Sequence, residues 1–256
     1  MRYCIAGIVA ALAAALSTGA MAAEGCYLRV GIGFDLPTET EFRDVNCEVE
    51  QPLYGCGTGG DEAPLRSVGD FSTASGFEVG IGGPVAPAVR MEAIVEYRPR
   101  YAFSGHANYL APDRQQSVSV DASALSGMVT AYADLPALGL PKLGPFEPFV
   151  GAGVGVALVR AGETQMMFPR TTTHVPGGHR TGLAWMLTAG VATALGESTT
   201  LEIAWRYSDL GMVETATGDG RVVWNDGSRD PLMLDQGASE AHLRNHGFRL
   251  SLRQLF

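Results

Sequence analysis

The chain has 256 residues, 46% of them apolar, and a net charge of −9. That length and apolar content suit one large domain or two small ones and exclude a disordered chain. The acidic balance excludes nucleic acid and anionic lipid surfaces as general partners, because both demand clustered positive charge.

The opening residues, MRYCIAGIVAALAAALSTGAMAAEGC, give a positive start at Arg2, an apolar run from Ile5 to Leu16 and the small-x-small exit Ala20-Met21-Ala22. This is the plan of a secretory signal peptide, too short to serve as an anchor. Cleavage is expected between Ala22 and Ala23, leaving 1–22 as the signal and 23–256 as the mature domain. Lipidation of Cys26 is disfavoured, since Ala23 and Glu24 do not supply the aliphatic and small residues that a lipoprotein motif wants ahead of the cysteine. Export means an oxidising compartment, where Cys26, Cys47 and Cys56 allow one bridge.

After the signal, no run of eighteen apolar residues appears, but period-two alternation recurs. In Cys26 to Phe34, Leu28, Val30, Ile32 and Phe34 oppose Arg29, Gly31 and Gly33. In Gly76 to Gly82, Phe77, Val79 and Ile81 oppose Glu78 and Gly80. Val89 to Arg100 sets Val89, Met91, Ala93, Val95 and Tyr97 against Arg90, Glu92, Glu96, Arg98 and Arg100. Leu125 to Leu135 opposes Leu125, Val129 and Ala131 to Ser126, Met128, Thr130 and Tyr132. Phe149 to Val159 sets Val150, Val154, Val156 and Leu158 against Gly151, Gly153 and Gly155. Leu183 to Leu195, Thr199 to Asp209 and His242 to Phe256 complete eight such segments.

The connections alternate too: long and polar at 35–74, 101–116, 160–180 and 211–241, short at 83–88, 136–145 and 196–198. A soluble sandwich would also alternate. Segments of about ten residues match a tilted crossing of the hydrocarbon, and an even strand number with long outer loops and short inner turns belongs to outer-membrane barrels. The polar face mixes charges with small residues, as the crowded lumen of a small barrel requires. The expected fold is therefore all-β: an eight-stranded antiparallel transmembrane barrel with four long outer loops and three short periplasmic turns.

Four strings, GCYLRVGIGFD (25–35), PFVGAGVGVALV (148–159), LEIAWRYSDLG (201–211) and HGFRLSLRQLF (246–256), occur in this order and spacing. Together they resemble the opacity-protein and related surface-antigen family of Gram-negative outer-membrane β-barrels. The resemblance implies an outer-membrane location, a terminal strand read by the barrel-assembly machinery through Phe248, Leu250, Leu252 and Phe256, and loops that in some relatives act as adhesins or antigens. The chain departs from that pattern in ending Gln254-Leu255-Phe256 and in carrying two cysteines in a long first loop.

The inward-facing set is expected to comprise Arg29, Glu78, Arg90, Glu92, Glu96, Arg98, Glu202, Arg206, Arg249 and Arg253. A charged conduit is one reading. Eight strands enclose a space that side chains fill, however, so an Arg/Glu plug is preferred, with Gly151, Gly153 and Gly155 making room for the arginines. Seventeen of the eighteen Lys and Arg residues are arginine, Lys142 being the exception; either codon bias or the suitability of guanidinium for desolvated pairs accounts for it. A bridge needs Cα atoms within about 7 Å, so Cys47 and Cys56 in the first loop are the expected pair and Cys26, at the opposite rim, stays outside it.

His174 with His179 and His242 with His246 have no recognised zinc spacing, and Asp219, Asp226 and Asp230 form no ordered calcium loop, so no metal or cofactor is expected. No Ser/His/acid constellation stands out. The expected function is noncatalytic, in envelope integrity or surface interaction, with a small or hydrophobic solute channel second and a lipid-modifying barrel enzyme third. The expected partners are outer-membrane lipids, the assembly machinery and a host or extracellular ligand at the loops, with no nucleic acid.

Overall fold

A computed structural model describes residues 25–110 and 116–256; the expected signal peptide and the Ala22/Ala23 cleavage point lie outside these residues. The strands are β1 (Tyr27–Pro37), β2 (Thr40–Asp44), β3 (Ser67–Phe71), β4 (Ala74–Ala86), β5 (Val89–Ala107), β6 (Gln116–Asp134) and β7 (Glu147–Ala161). They continue as β8 (Thr164–Met167), β9 (Thr171–Val175), β10 (His179–Ala194), β11 (Thr199–Glu214), β12 (Gly220–Trp224), β13 (Leu232–Leu234) and β14 (Ser239–Leu255).

Eight of these form a ring through successive antiparallel ladders: β1, β4, β5, β6, β7, β10, β11 and β14. The ring closes where β14 returns to β1, in register from Tyr27↔Leu255 to Pro37↔Asn245. Closure leaves no unpaired edge, the condition for a sheet to stand in lipid. The alternation seen in the sequence is what makes the wall two-faced: Ile32, Phe77, Val129, Val154, Val156 and Ile203 all point outward with about half of their surface exposed. A continuous apolar wall of this kind is sustainable only against hydrocarbon.

The six short strands are not separate elements. β2 prolongs β1, β3 precedes β4, β8 prolongs β7, β9 precedes β10, β12 prolongs β11 and β13 precedes β14. Their pairings, β14 with β2, β2 with β3, β3 with β5, β6 with β8, β8 with β9, β9 with β12 and β12 with β13, extend much of the wall at a higher level. The barrel is therefore taller than the membrane is thick. Strand interruptions between the tiers, at 38–39, 72–73, 162–163 and 176–178, share the level of two ladder shifts, between Arg98 and Tyr101 and between Asp209 and Met212. Interrupted ladders free backbone groups that need water, so they belong above the hydrocarbon. At the second shift Gly211 adopts φ 82°, the left-handed region, and its N–H donates to Asp209 Oδ1 at 2.9 Å.

Three expectations are corrected here. The segments 35–74, 101–116, 160–180 and 211–241 carry strands rather than only loop; β5 runs on into the second of them as far as Ala107 and β6 already begins at Gln116, each a 19-residue strand. Arg100, expected inward by parity, is exposed and pairs outward with Asp121 at 3.1 Å, because the ladder shift after Arg98 resets the alternation and turns Tyr101 inward. Asp35, expected at the start of a loop, is inside β1 and fully buried.

At the other end the turns are short. Leu195 N–H donates to Thr199 O at 2.9 Å across one, and a 3-10 turn at Leu135–Leu138 is closed by Gly139 at φ 88°. The last residue is tied in as well, since Phe256 N–H donates to Cys26 O at 3.2 Å.

Candidate functional site: the charged lumen and its outer cap

All ten residues expected in the lumen point inward in the structure, and the long side chains meet in three linked groups. Nearest the periplasm, Arg90 reaches Glu92 at 2.7 Å and Glu202 at 3.0 Å while its guanidinium lies over the Tyr132 ring, 4.3 Å from the centroid. Arg253, the one partly exposed member, stands 3.6 Å from Glu202 and over the Tyr27 ring. In the middle, Arg29 bridges Glu78 and Glu92, both at 3.0 Å, and Arg206 joins Glu78 at 2.8 Å to Glu96 at 3.0 Å. Uppermost, Arg98 and Arg249 share Asp35 at 2.7 and 2.8 Å and share Glu96 at 2.9 and 2.5 Å.

Five buried arginines thus stand against five buried carboxylates: Arg29, Arg90, Arg98, Arg206 and Arg249 with Asp35, Glu78, Glu92, Glu96 and Glu202. The balance is required, because a lone charge in this setting costs several kcal/mol. Hydroxyls complete the shell: Tyr27 donates to Glu92 at 2.7 Å, and Arg29 donates to Tyr132 at 2.7 Å and to Ser251 at 3.0 Å. Glu202 differs from the rest. Three guanidinium groups lie within 3.0–3.6 Å of it, but neither of its oxygens accepts a directed hydrogen bond.

Asp35 and Tyr27 lie outside the expected lumen set although they share the parity of Arg29 and continue its column at either end, and Tyr132, on the inward parity of its strand, proves to be an arginine partner. Sequence reasoning misassigned the glycines. A Cβ on Gly151 would lie 2.6 Å from the Tyr132 ring, and one on Gly153 would lie 2.5 Å from Thr130 Oγ1, so these make room for a tyrosine and a threonine. The room for charged side chains comes from other glycines, among them Gly31, Gly82 and Gly247, where a Cβ would lie 2.7 Å from Glu78 Oε1, 2.5 Å from Glu92 Cγ and 2.3 Å from Asp35 Oδ1 respectively.

Above the charges the filling turns apolar. Tyr101 donates to Asp35 at 3.5 Å and packs edge-on against Phe71, which meets Phe103 at 5.2 Å, and Phe103 meets Phe42 at 5.0 Å. These rings come from β2, β3 and β5, in the upper tier. The first loop closes over them. Asp44 accepts backbone N–H bonds from Leu53, Tyr54 and Gly55 at 3.2, 3.0 and 2.7 Å; Tyr54 shares a hydrogen bond with Ser67 at 2.8 Å and stacks on Tyr109. Burial pushes the Asp44 carboxyl above its ordinary value against the pull of those three donors, and burial likewise raises Tyr54. The Cys47–Cys56 disulfide, with Cα atoms 5.0 Å apart, ties off the tip of this loop. Cys26 lies outside it, half-buried at the opposite rim.

The histidines are dispersed. His174 bonds Glu163 at 2.7 Å, an interaction that lowers the Glu163 carboxyl, and His246 lies against Trp205 and Tyr207 on the outer wall. Among the described residues no group of three His, Cys, Asp or Glu side chains is arranged to hold a metal. Phe248, Leu250 and Leu252 face outward, with Phe248 5.6 Å from Phe34 across the closing seam, and Phe256 is exposed at the periplasmic rim.

A closed eight-stranded ring, an apolar outer wall and a packed charged interior define a transmembrane β-barrel of the outer-membrane class. The outer membrane is where such a barrel resides. One solved structure agrees at the level of fold. The outer-membrane protease OmpT from Escherichia coli superimposes with a TM-score of 0.51 at 10% identity, over 90% of this chain and 97% of that one. The outer-membrane protein OprG from Pseudomonas aeruginosa gives 0.48 at 11% identity, over 92% and 97%. An uncharacterised protein of Brucella melitensis is 28% identical over 201 residues, 72% of this chain and 67% of that relative. One of Brucella suis is 27% identical over the same length. No family model matches the chain.

Proposed function

We propose that the protein is a noncatalytic outer-membrane barrel that contributes to envelope integrity or surface interaction through its outer loops. The observation that carries this reading is the filling of the lumen. The buried carboxylates that a barrel enzyme or an ion conduit would need at liberty are all engaged by guanidinium groups, and the rings of Phe42, Phe71, Phe103 and Tyr101 stop the space above them. With the interior committed to structure, the upper tier and its loops are the part free to meet partners. A second reading, passage of small or hydrophobic solutes, draws on two outward recesses of about 440 Å³ each at the level of the strand interruptions, one beside Met212 and His242 and one beside Pro99 and Arg100.

Surface trypsin treatment of intact cells, compared with the purified folded protein, tests the orientation on which the proposal depends. Cleavage at upper-tier and loop sites such as Arg43, Arg66, Arg170, Arg221 and Arg229 is the expected result. Protection of all of them on cells would remove the surface role. Lipid A analysis and peptide-cleavage assays on expressing cells test for catalysis, and a modified lipid or a cleaved peptide dependent on the protein would overturn the noncatalytic assignment.

A further inference from the structure

The net charge of −9 gives the molecule no general attraction for anionic lipid, so a row of basic and hydroxyl side chains on the lipid-facing wall stands out. It lies on β5, β6, β7 and β10, at the upper limit of the apolar belt. The outward column of β7 runs Val150, Ala152, Val154, Val156, Leu158 and then Arg160. Directly across the ladders, Arg160 faces Ser123 on β6 and His179 on β10, and both Arg160 and His179 are exposed. Among the described residues neither forms an ion pair, whereas the outward Arg244 is matched by Asp209 at 3.1 Å. Arg100, one strand further on, spends its Nε on Asp121 and lines the 440 Å³ recess with Ser72, Thr73 and Ser75.

Adjacent strands are about 4.8 Å apart, so His179, Arg160 and Arg100 span roughly 15 Å of one wall at one height. Beneath this row stand Leu183, Leu158, Leu125 and Tyr97, outward and apolar. An outward arginine without an ion pair, flanked by the imidazole of His179 and the hydroxyl of Ser123 at the rim of an apolar wall, matches an amphiphile whose phosphate lies at the rim and whose acyl chains lie along the wall.

We infer that this row binds a phosphate-bearing lipid of the outward leaflet. Arg160 and His179 hold one phosphate between them, Ser123 donates to it, and Arg100 with the hydroxyl-lined recess takes the next polar group of the same headgroup. The acyl chains run down over Leu158, Leu183 and Leu125. The site is separate from the loops and from the lumen.

The test uses the folded mature protein in phosphatidylcholine nanodiscs doped with diphosphoryl lipid A or with its dephosphorylated form, with retained lipid read by native mass spectrometry. Preferential retention of the phosphorylated form is expected. Arg160→Gln should weaken it about fivefold, as loss of one interfacial charge implies, and Arg160→Gln with His179→Gln should weaken it further by removing a second contact to the phosphate. Arg221→Gln, far up the outer tier, should leave it unchanged. Circular dichroism on the variants establishes that they are folded, and these exposed positions make no structural pair. Equal retention of the dephosphorylated lipid, unchanged binding by the double variant, or displacement by millimolar inorganic phosphate alone would each overturn the inference, the last by assigning the site to a soluble anion.

Discussion

Removing the Glu96 carboxylate should expose how the plug is balanced. Glu96 is met by Arg98 at 2.9 Å, Arg206 at 3.0 Å and Arg249 at 2.5 Å, all in the fully buried upper lumen. In Glu96→Ala, Arg206 keeps Glu78 at 2.8 Å, but Arg98 and Arg249 are left to share the single carboxylate of Asp35. One positive charge is then uncompensated in a space closed to water, which costs about 3–5 kcal/mol. For a chain of this size that corresponds to a fall on the order of 10 °C in the unfolding midpoint, at about 2–4 °C per kcal/mol. The assay is the heat-dependent mobility shift of the folded barrel, measured beside Glu202→Gln. Glu202 stands beside Arg253, the one partly exposed arginine, and Arg90 keeps Glu92 and Asp134, so the charge left by its replacement lies nearer water and should cost less. Equal midpoints for wild type and Glu96→Ala would refute the balanced-plug reasoning.

Other consequences follow from single contacts. A Cβ at Gly155 would lie 2.0 Å from the carbonyl oxygen of Gly127, whereas one at Gly127 meets nothing within 4 Å, so Gly155→Ala should reduce folded yield and Gly127→Ala should not. Breaking the Cys47–Cys56 bridge by Cys47→Ser with Cys56→Ser should cost the first loop roughly 2–3 kcal/mol of ordering free energy and speed its proteolysis, with the barrel midpoint unmoved. The Asp44 carboxyl is raised in the folded state, so its stabilising contribution is complete below the unfolded value of 3.8 and is lost as pH rises through the folded one. Acidification from pH 7 to 5 should therefore not loosen the loop; falling hydrogen-exchange protection at Leu53–Gly55 over that range would contradict this. Deleting Phe256, whose N–H bonds the first strand's Cys26 carbonyl, should lower membrane insertion more than stability, and equal insertion without it would count against a role in assembly.

What the sequence made legible was the wall. Membrane strands obey a strict two-residue period because one face meets lipid and the other a crowded lumen, so Ile32 against Arg29 or Ile203 against Glu202 is visible without coordinates. The upper tier was not legible. Its short strands have water on the outside, and aromatic residues such as Phe42, Phe71 and Phe103 lie many residues apart until the fold stacks them. Arg100 was misplaced because a ladder shift leaves no mark in the alternation. Which arginine meets which carboxylate was equally hidden: Arg206 and Glu78 are 128 residues apart, and only the closed register brings them to 2.8 Å.

The central claim is that the lumen is sealed, first by charge and then by aromatic packing. Planar-bilayer recording of the purified, folded protein tests it most directly. A sealed lumen gives no discrete conductance steps above the bare membrane, with or without the Glu96→Ala substitution. Stable steps from the wild-type barrel would contradict it and favour the channel.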